Sequence, residues 1–138
     1  MRIVADTNIV ISGLLWRGNE RRILDAARDG LLALFTSPAL LQELVDVLSR
    51  EKFAKRLQSA QVTLKELCIG YAALATVIEA EPIQPVIIAD PDDDVVLACA
   101  LAAQCDVITS GDRHLLELAS YEEIRILTAS QLLMELAL

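Results

Sequence analysis

Several features that define other classes of protein are missing from this chain of 138 residues. No apolar run approaches the roughly 18 residues that a membrane span requires. An acid at position 6 comes too early to leave room for the apolar region of a signal peptide. Aromatic residues make up only 4% of a chain that is 54% hydrophobic, which predicts an aliphatic, tightly packed core. We therefore expect a single domain over residues 1–138, located in the cytoplasm and not in a membrane.

Cysteine is scarce and is poorly placed for disulfides or zinc. Cys68, Cys99 and Cys105 are odd in number, lie among apolar residues and form no CxxC or Cys/His spacing. We interpret them as reduced side chains of the core.

Positive charge is scarce as well, and it is unevenly distributed. The formal charge of −8 argues against a whole surface built to bind a polyanion. Residues 1–56 nevertheless hold nine Lys or Arg against seven Asp or Glu, whereas residues 57–138 hold three against thirteen. The basic side chains of the first part form two groups, which are candidate phosphate contacts: Arg17, Arg21 and Arg22, then Arg50, Lys52, Lys55 and Arg56. A solvated helix face is the alternative, since no aromatic residues are interleaved with these charges.

Short apolar runs alternate with helical patterns along the chain. Strands are predicted at residues 3–5, 33–36, 106–109 and 124–127, and the apolar residues 9–15 are predicted to continue the first strand into a loop. Helices are predicted between these strands, including one that begins after Ser37 as N-cap. This alternation predicts an α/β fold with a parallel sheet covered on both faces, whose ligands gather at the carboxyl ends of the strands.

Two acids follow predicted strands. Asp6 ends the first apolar run and opens the polar triplet Asp6-Thr7-Asn8, in which Thr7 and Asn8 are candidates to orient its carboxylate. Asp112 follows Ser110-Gly111, where the glycine allows a sharp turn after a strand. A turn or capping aspartate is the alternative at each position.

Two further acids lie on predicted helices. Glu43 borders the apolar arc of the helix over residues 38–49, so it can face inward or stand as an ordinary boundary glutamate. Asp94 opens the most apolar helix, where the macrodipole favours an anion even without a functional role. We interpret Asp92 and Asp93 as solvated caps and Asp94 as the acid nearest the buried helix.

Taken together, the four acids predict a cation. They map to one end of the predicted sheet, and only one basic residue, Arg113, lies near any of them in sequence. Burial of ionised carboxylates without a partner is costly, and oxygen ligands suit Mg²⁺ or Mn²⁺. His114 is either a proton carrier beside Asp112 or a lone surface imidazole.

The ordered set of motifs resembles the PIN-domain family, and especially the VapC-type ribonucleases that are toxins of toxin–antitoxin systems. The similarity rests on Asp6-Thr7-Asn8, Glu43, Asp94 before Val-Val-Leu-Ala, and Ser110-Gly111-Asp112, and it runs nearly end to end. It implies a three-layer α/β/α sandwich with a central parallel sheet and a catalytic and metal-binding quartet of Asp6, Glu43, Asp94 and Asp112. Asn8 and Ser110 match the supporting positions.

The resemblance also implies an activity and partners. It implies Mg²⁺- or Mn²⁺-dependent cleavage of single-stranded RNA, a homodimer and a small antitoxin protein. Two other functions stay open from the residues: a regulatory protein that binds metal or nucleic acid without catalysis, and an aspartyl phosphatase with Asp6 as nucleophile. The phosphatase is disfavoured because Asn8 stands where a second aspartate is needed.

Overall fold

A computed structural model describes all 138 residues, and strands alternate with helices through most of it. The strands are β1 (Arg2–Ala5), β2 (Ala33–Thr36), β3 (Thr76–Val77), β4 (Val107–Thr109), β5 (Ser120–Tyr121) and β6 (Ile124–Leu127). The α-helices are α1 (Thr7–Leu15), α2 (Asn19–Arg28), α3 (Pro38–Leu48), α4 (Ala54–Ser59), α5 (Leu64–Leu74), α6 (Pro91–Ala102), α7 (Arg113–Leu118) and α8 (Ala129–Glu135). A 3₁₀ turn, Glu51–Phe53, leads into α4.

The six strands form one sheet in the order β3-β2-β1-β4-β6-β5. Every pair is parallel except β5 with β6, which is antiparallel. The chain moves from β1 outward to β2 on one side and later returns to β4 on the other. The carboxyl ends of β1 and β4 therefore flank the point where the strand order reverses, which is where open α/β sheets bind ligands.

Each face of the sheet carries its own core. Along β1 and β4, Ile3 and Val107 face one cluster, and the alternate residues Val4 and Ile108 face the other. The first cluster packs under α1, α2, α5 and α8, the second under α6 and α7, and α3 contributes side chains to both. This arrangement confirms the α/β/α sandwich around a mainly parallel sheet.

Helix α3 begins where the sequence predicts it. The Ser37 hydroxyl accepts a hydrogen bond from the Leu40 amide, and Pro38 is the first helical residue of α3. Residues 9–15 are an exception, since they form helix α1 and not a loop. A run that is apolar on every side shows no period, so its burial between the sheet and its neighbours, and not its pattern, makes it helical.

Helices α1 and α2 approach closely at Gly13. A Cβ atom on this residue would lie 2.7 Å from Leu24 Cδ1 and 2.9 Å from the Glu20 carbonyl oxygen. Only a glycine allows this contact without displacing α2.

The cysteines are free, and Cys99 and Cys105 are buried. Burial raises the pKa of Cys99 to about 11, so this thiol is not a nucleophile near neutral pH.

None of the helices combines the length and apolar character needed to cross a bilayer.

Candidate metal centre

Asp6 is held at the carboxyl end of β1, where it also caps α1. Its Oδ1 accepts a hydrogen bond from the Thr7 amide at 2.7 Å, and its Oδ2 accepts one from Ser110 Oγ at 2.7 Å. The residue is 7% exposed. Burial raises the pKa of Asp6, these two hydrogen bonds lower it, and the Asp112 and Asp90 carboxylates raise it again, so that the net shift is upward.

Glu43 reaches the same region from α3. Its Oε2 accepts a hydrogen bond from Thr7 Oγ1 at 2.8 Å, so Thr7 joins the end of β1 to α3. Burial raises the pKa of Glu43, the Thr7 hydroxyl lowers it, and the nearby Asp6, Asp92 and Asp90 carboxylates raise it, with a net upward shift. Glu43 therefore faces inward.

Asp112 caps α7 after the end of β4. Its Oδ1 accepts hydrogen bonds from the amides of His114 and Leu115, at 2.8 and 3.1 Å. The Asp112 amide donates to Ser110 Oγ at 2.9 Å, and that hydroxyl donates in turn to Asp6. Ser110 thus links the carboxylate after β1 to the turn after β4.

In α6 the acid that turns inward is Asp93. The helix begins at Pro91 with Asp90 as its cap, and Asp93, Val96, Leu97 and Ala100 lie on one face, each no more than 5% exposed. Burial, followed by the nearby Asp112 carboxyl group, raises the pKa of Asp93 to about 8. Asp93 Oδ2 is buried and has no hydrogen-bond partner. Two neighbouring carboxyl groups do not both ionise readily, which is why Asp112 raises the pKa of Asp93.

Asp94, the residue that the sequence analysis placed in the quartet, points elsewhere. Its carboxylate accepts hydrogen bonds from the amides of Val86, at 3.2 and 3.3 Å, and Ile87, at 3.0 Å. A step of one residue along a helix turns a side chain by about 100°, so Asp94 faces away from the side of α6 on which Asp93 lies. The metal-binding role of Asp94 stays a prediction. The sequence holds no signal that separates the two acids, because Asp94 has the same spacing from the apolar Leu97, Ala98 and Leu101.

Around Asp93 the donors converge. A carboxylate oxygen of Asp93, a carboxylate oxygen of Asp112 and a ring nitrogen of His114 all lie within 4.8 Å of one another. Asp6 lies close enough to Asp93 for its charge to raise the pKa of Asp93, and Asp112 raises the pKa of Asp6 in the same way. Asp6 likewise raises the pKa of Glu43. Asp6, Glu43, Asp93 and Asp112, which come from distant parts of the chain, therefore lie near one another at one end of the sheet.

No basic side chain compensates this negative charge. The three salt bridges of the molecule join surface residues outside the centre: Arg28 with Asp25, Arg113 with Glu117, and Arg125 with Glu135. No cation is among the groups that shift the pKa of Asp6, Glu43 or Asp93. Buried carboxylates with no positive partner and an unpartnered oxygen fit a hard divalent cation.

The supporting residues and the predicted basic groups separate into different environments. Thr7 and Ser110 are buried within the network, whereas Asn8 is exposed and has no side-chain hydrogen bond.

The Arg21 guanidinium donates to the carbonyls of Gly13 and Leu14. The Arg56 guanidinium donates to the Leu15 carbonyl. These two arginines satisfy the last turn of α1, so they have a structural task that the charge pattern does not reveal.

The other basic residues of the two groups are exposed: Arg17, Arg22, Arg50, Lys52 and Lys55. Of these residues, Arg50 lines a cleft of about 270 Å³ together with Glu43 and Asp92. A larger cavity of about 430 Å³ lies beside Asp94 and Glu79, on another side of the start of α6. It does not include the acids that converge at Asp93, so its size does not make it the chemical centre.

Comparison of the sequence with models of known protein families identifies the family of this chain. The model of the PIN domain matches residues 2–114, which span the whole set of acids and His114. This chain belongs to the PIN-domain family. No curated protein matches the chain significantly.

The fold of this PIN domain is similar to that of a solved complex, VapBC2 from Rickettsia felis bound to a DNA fragment from its promoter. The match has a TM-score of 0.61 and 11% sequence identity, and it covers 91% of this chain and 97% of the other. The resemblance to PIN domains predicted from the sequence motifs is confirmed.

Proposed function

We propose that this PIN-domain protein is a metal-dependent endoribonuclease that hydrolyses phosphodiester bonds of single-stranded RNA as the toxin of a toxin–antitoxin system. The observation that carries the proposal is the convergence of buried acids without any cation, including the unpartnered Oδ2 of Asp93. Membership of the PIN family and a fold like that of VapBC2 support it.

Four acids are assigned to the ion, which is Mg²⁺ or Mn²⁺. Asp6, Glu43 and Asp112 keep the metal-binding and catalytic roles expected from the sequence, and Asp93 takes the role assigned there to Asp94. The hydrogen bond from Thr7 fixes the Glu43 carboxylate, and the hydrogen bond from Ser110 fixes that of Asp6. Such supporting contacts set the direction of a ligand's lone pairs before the ion arrives.

The chemistry requires no covalent nucleophile on the protein. A bound divalent ion supplies Lewis acidity, activates water at neutral pH and offsets the charge of the phosphate. In this proposal the scissile phosphate binds at the carboxyl ends of β1 and β4, where the residues of the chain keep the acids in fixed directions. Arg50, beside Glu43, is assigned to an adjacent RNA phosphate, and the exposed Arg17, Arg22, Lys52 and Lys55 are assigned to phosphates further away.

The biological setting is part of the proposal. The similar Rickettsia structure is a VapBC2 complex on promoter DNA, which supports a small antitoxin protein as partner of this chain. A homodimer and a cytoplasmic location stay as predictions from the sequence resemblance.

The test is cleavage of single-stranded RNA by untagged protein in the presence of Mg²⁺, Mn²⁺ or EDTA. Asp93→Asn and Asp6→Asn should each abolish cleavage while leaving the circular dichroism spectrum unchanged, since each removes a charged ligand. Asp92→Asn is the matched control, because it removes an exposed carboxylate from the same turn. Its cleavage rate should stay within a few-fold of the parent's.

Two results would contradict the proposal. Cleavage by Asp93→Asn at the parental rate would show that the Asp93 carboxylate is not needed for the reaction, contrary to the proposal. A metal ion that raises the melting temperature without any cleavage over varied RNA substrates would favour the non-catalytic binding function.

A further inference from the structure

His114 lies within the group of converging donors, although it contributes no acid. Its backbone amide donates a hydrogen bond to Oδ1 of Asp112, the N-cap residue of α7. This hydrogen bond fixes the backbone position from which the imidazole extends. A ring nitrogen of His114 lies within 4.8 Å of carboxylate oxygens of both Asp93 and Asp112. Ligands about 2.1 Å from one ion lie no more than about 4.2 Å apart, so small side-chain movements would bring the three atoms onto one ion.

Two side-chain atoms of this group of residues lack hydrogen-bond partners. Asp93 is 95% buried, since its exposure is 5%, and its Oδ2 makes no hydrogen bond. His114 Nδ1 is also buried without a hydrogen bond. Native proteins leave few buried polar atoms unpaired, and each such atom in a structure calls for a ligand or an equivalent partner. A single ion bound between these two neighbouring side chains would give both atoms a partner.

We propose that His114 is a nitrogen ligand of the divalent cation, together with Asp93 and Asp112, and that this mixed donor set makes the site prefer Mn²⁺ to Mg²⁺. The inference rests on the proposed function and specifies its metal centre. An imidazole suits transition metals, whereas Mg²⁺ favours carboxylate, carbonyl and water oxygens. Replacement of one oxygen donor by nitrogen therefore favours the transition metal.

The chain offers a direct spectroscopic test because His114 is its only histidine. Untagged protein is loaded with Mn²⁺ in imidazole-free buffer and examined by electron spin-echo envelope modulation. We expect ¹⁴N modulation of the imidazole type in the parent and its loss in His114→Asn. Bound Mn²⁺ without that modulation in the parent would overturn the inference, and this result does not depend on whether the variant folds.

Affinity supplies a second measurement. His114→Asn should weaken Mn²⁺ binding by about tenfold or more and change Mg²⁺ binding much less, as measured by calorimetric titration. Equal losses for the two ions, or no loss, would contradict the assigned ion preference. Asp92→Asn again serves as the control and should retain the parental preference for Mn²⁺.

The two proposals fail in different ways. If the parent binds Mn²⁺ and cleaves RNA but shows no imidazole signal, the role of His114 fails and the nuclease proposal stands. If the parent binds no divalent ion at millimolar concentration, both fail. If the imidazole signal is present but no RNA is cleaved, the histidine ligand stands and the nuclease proposal fails.

Discussion

Asp93→Asn is expected to stabilise the metal-free protein near neutral pH even though it removes a ligand. In the folded chain the pKa of Asp93 is raised from 3.8 to about 8, first by burial and then by Asp112. Between these values the folded protein holds a proton that the unfolded chain has lost, so stability falls as pH rises through this window. Asparagine has nearly the same shape and does not titrate, so it removes this penalty.

The magnitude follows from the size of the shift. One pKa unit corresponds to about 1.4 kcal/mol, so the full shift sets an upper limit of roughly 5–6 kcal/mol. Water and small rearrangements weaken such effects in real sites, and we expect a gain of about 2–3 kcal/mol at pH 7.5. At pH 4 the folded side chain is protonated in the parent, and the two proteins should be nearly equal in stability.

The assay is urea denaturation followed by circular dichroism in EDTA at pH 4, 6 and 7.5. Asp92→Asn corrects for the general relief of repulsion in a chain of net charge −8, because it removes the same charge from an exposed position. Addition of Mn²⁺ should reverse the order, since bound ion stabilises the parent and not Asp93→Asn. The reasoning would be refuted if the free energy of unfolding of the parent rose from pH 4 to 7.5 and that of Asp93→Asn rose by the same amount.

Other predictions test the packing and the surface. Gly13→Ala should lower the free energy of unfolding by about 1–3 kcal/mol, because α2 must move to accept the Cβ atom. Gly70→Ala, which has open space around it, should raise that free energy by up to about 1 kcal/mol in the same urea titration; a larger loss there than at Gly13 would contradict the packing argument. Asp94→Ala should cost about 1–2 kcal/mol and accelerate hydrogen exchange of the amides at 86–87, and unchanged exchange would show that the carboxylate does not anchor them. Arg50→Gln should weaken RNA binding and reduce the salt slope of log K by about 1, and an unaltered slope would exclude a phosphate contact.

Local signals were sufficient for much of the fold. Ser37-Pro38 marks the start of α3, and the alternation of apolar runs with helices is enough to predict the parallel α/β sheet. The same signals fail over residues 9–15, where uninterrupted apolar character hides the helical period. They also do not distinguish Arg21 and Arg56, which donate to carbonyls of α1, from arginines that are free to meet RNA.

The sequence by itself determined that acids would stand at the ends of β1 and β4, because strand and turn signals are local. Only the tertiary structure decided which member of the Asp90–Asp94 run faces them. That choice depends on how α6 is rotated about its axis, which is set by its packing on the sheet through Val96 and Leu97. The same is true of His114, which comes close to Asp93 only when the first turns of α6 and α7 meet in the folded chain.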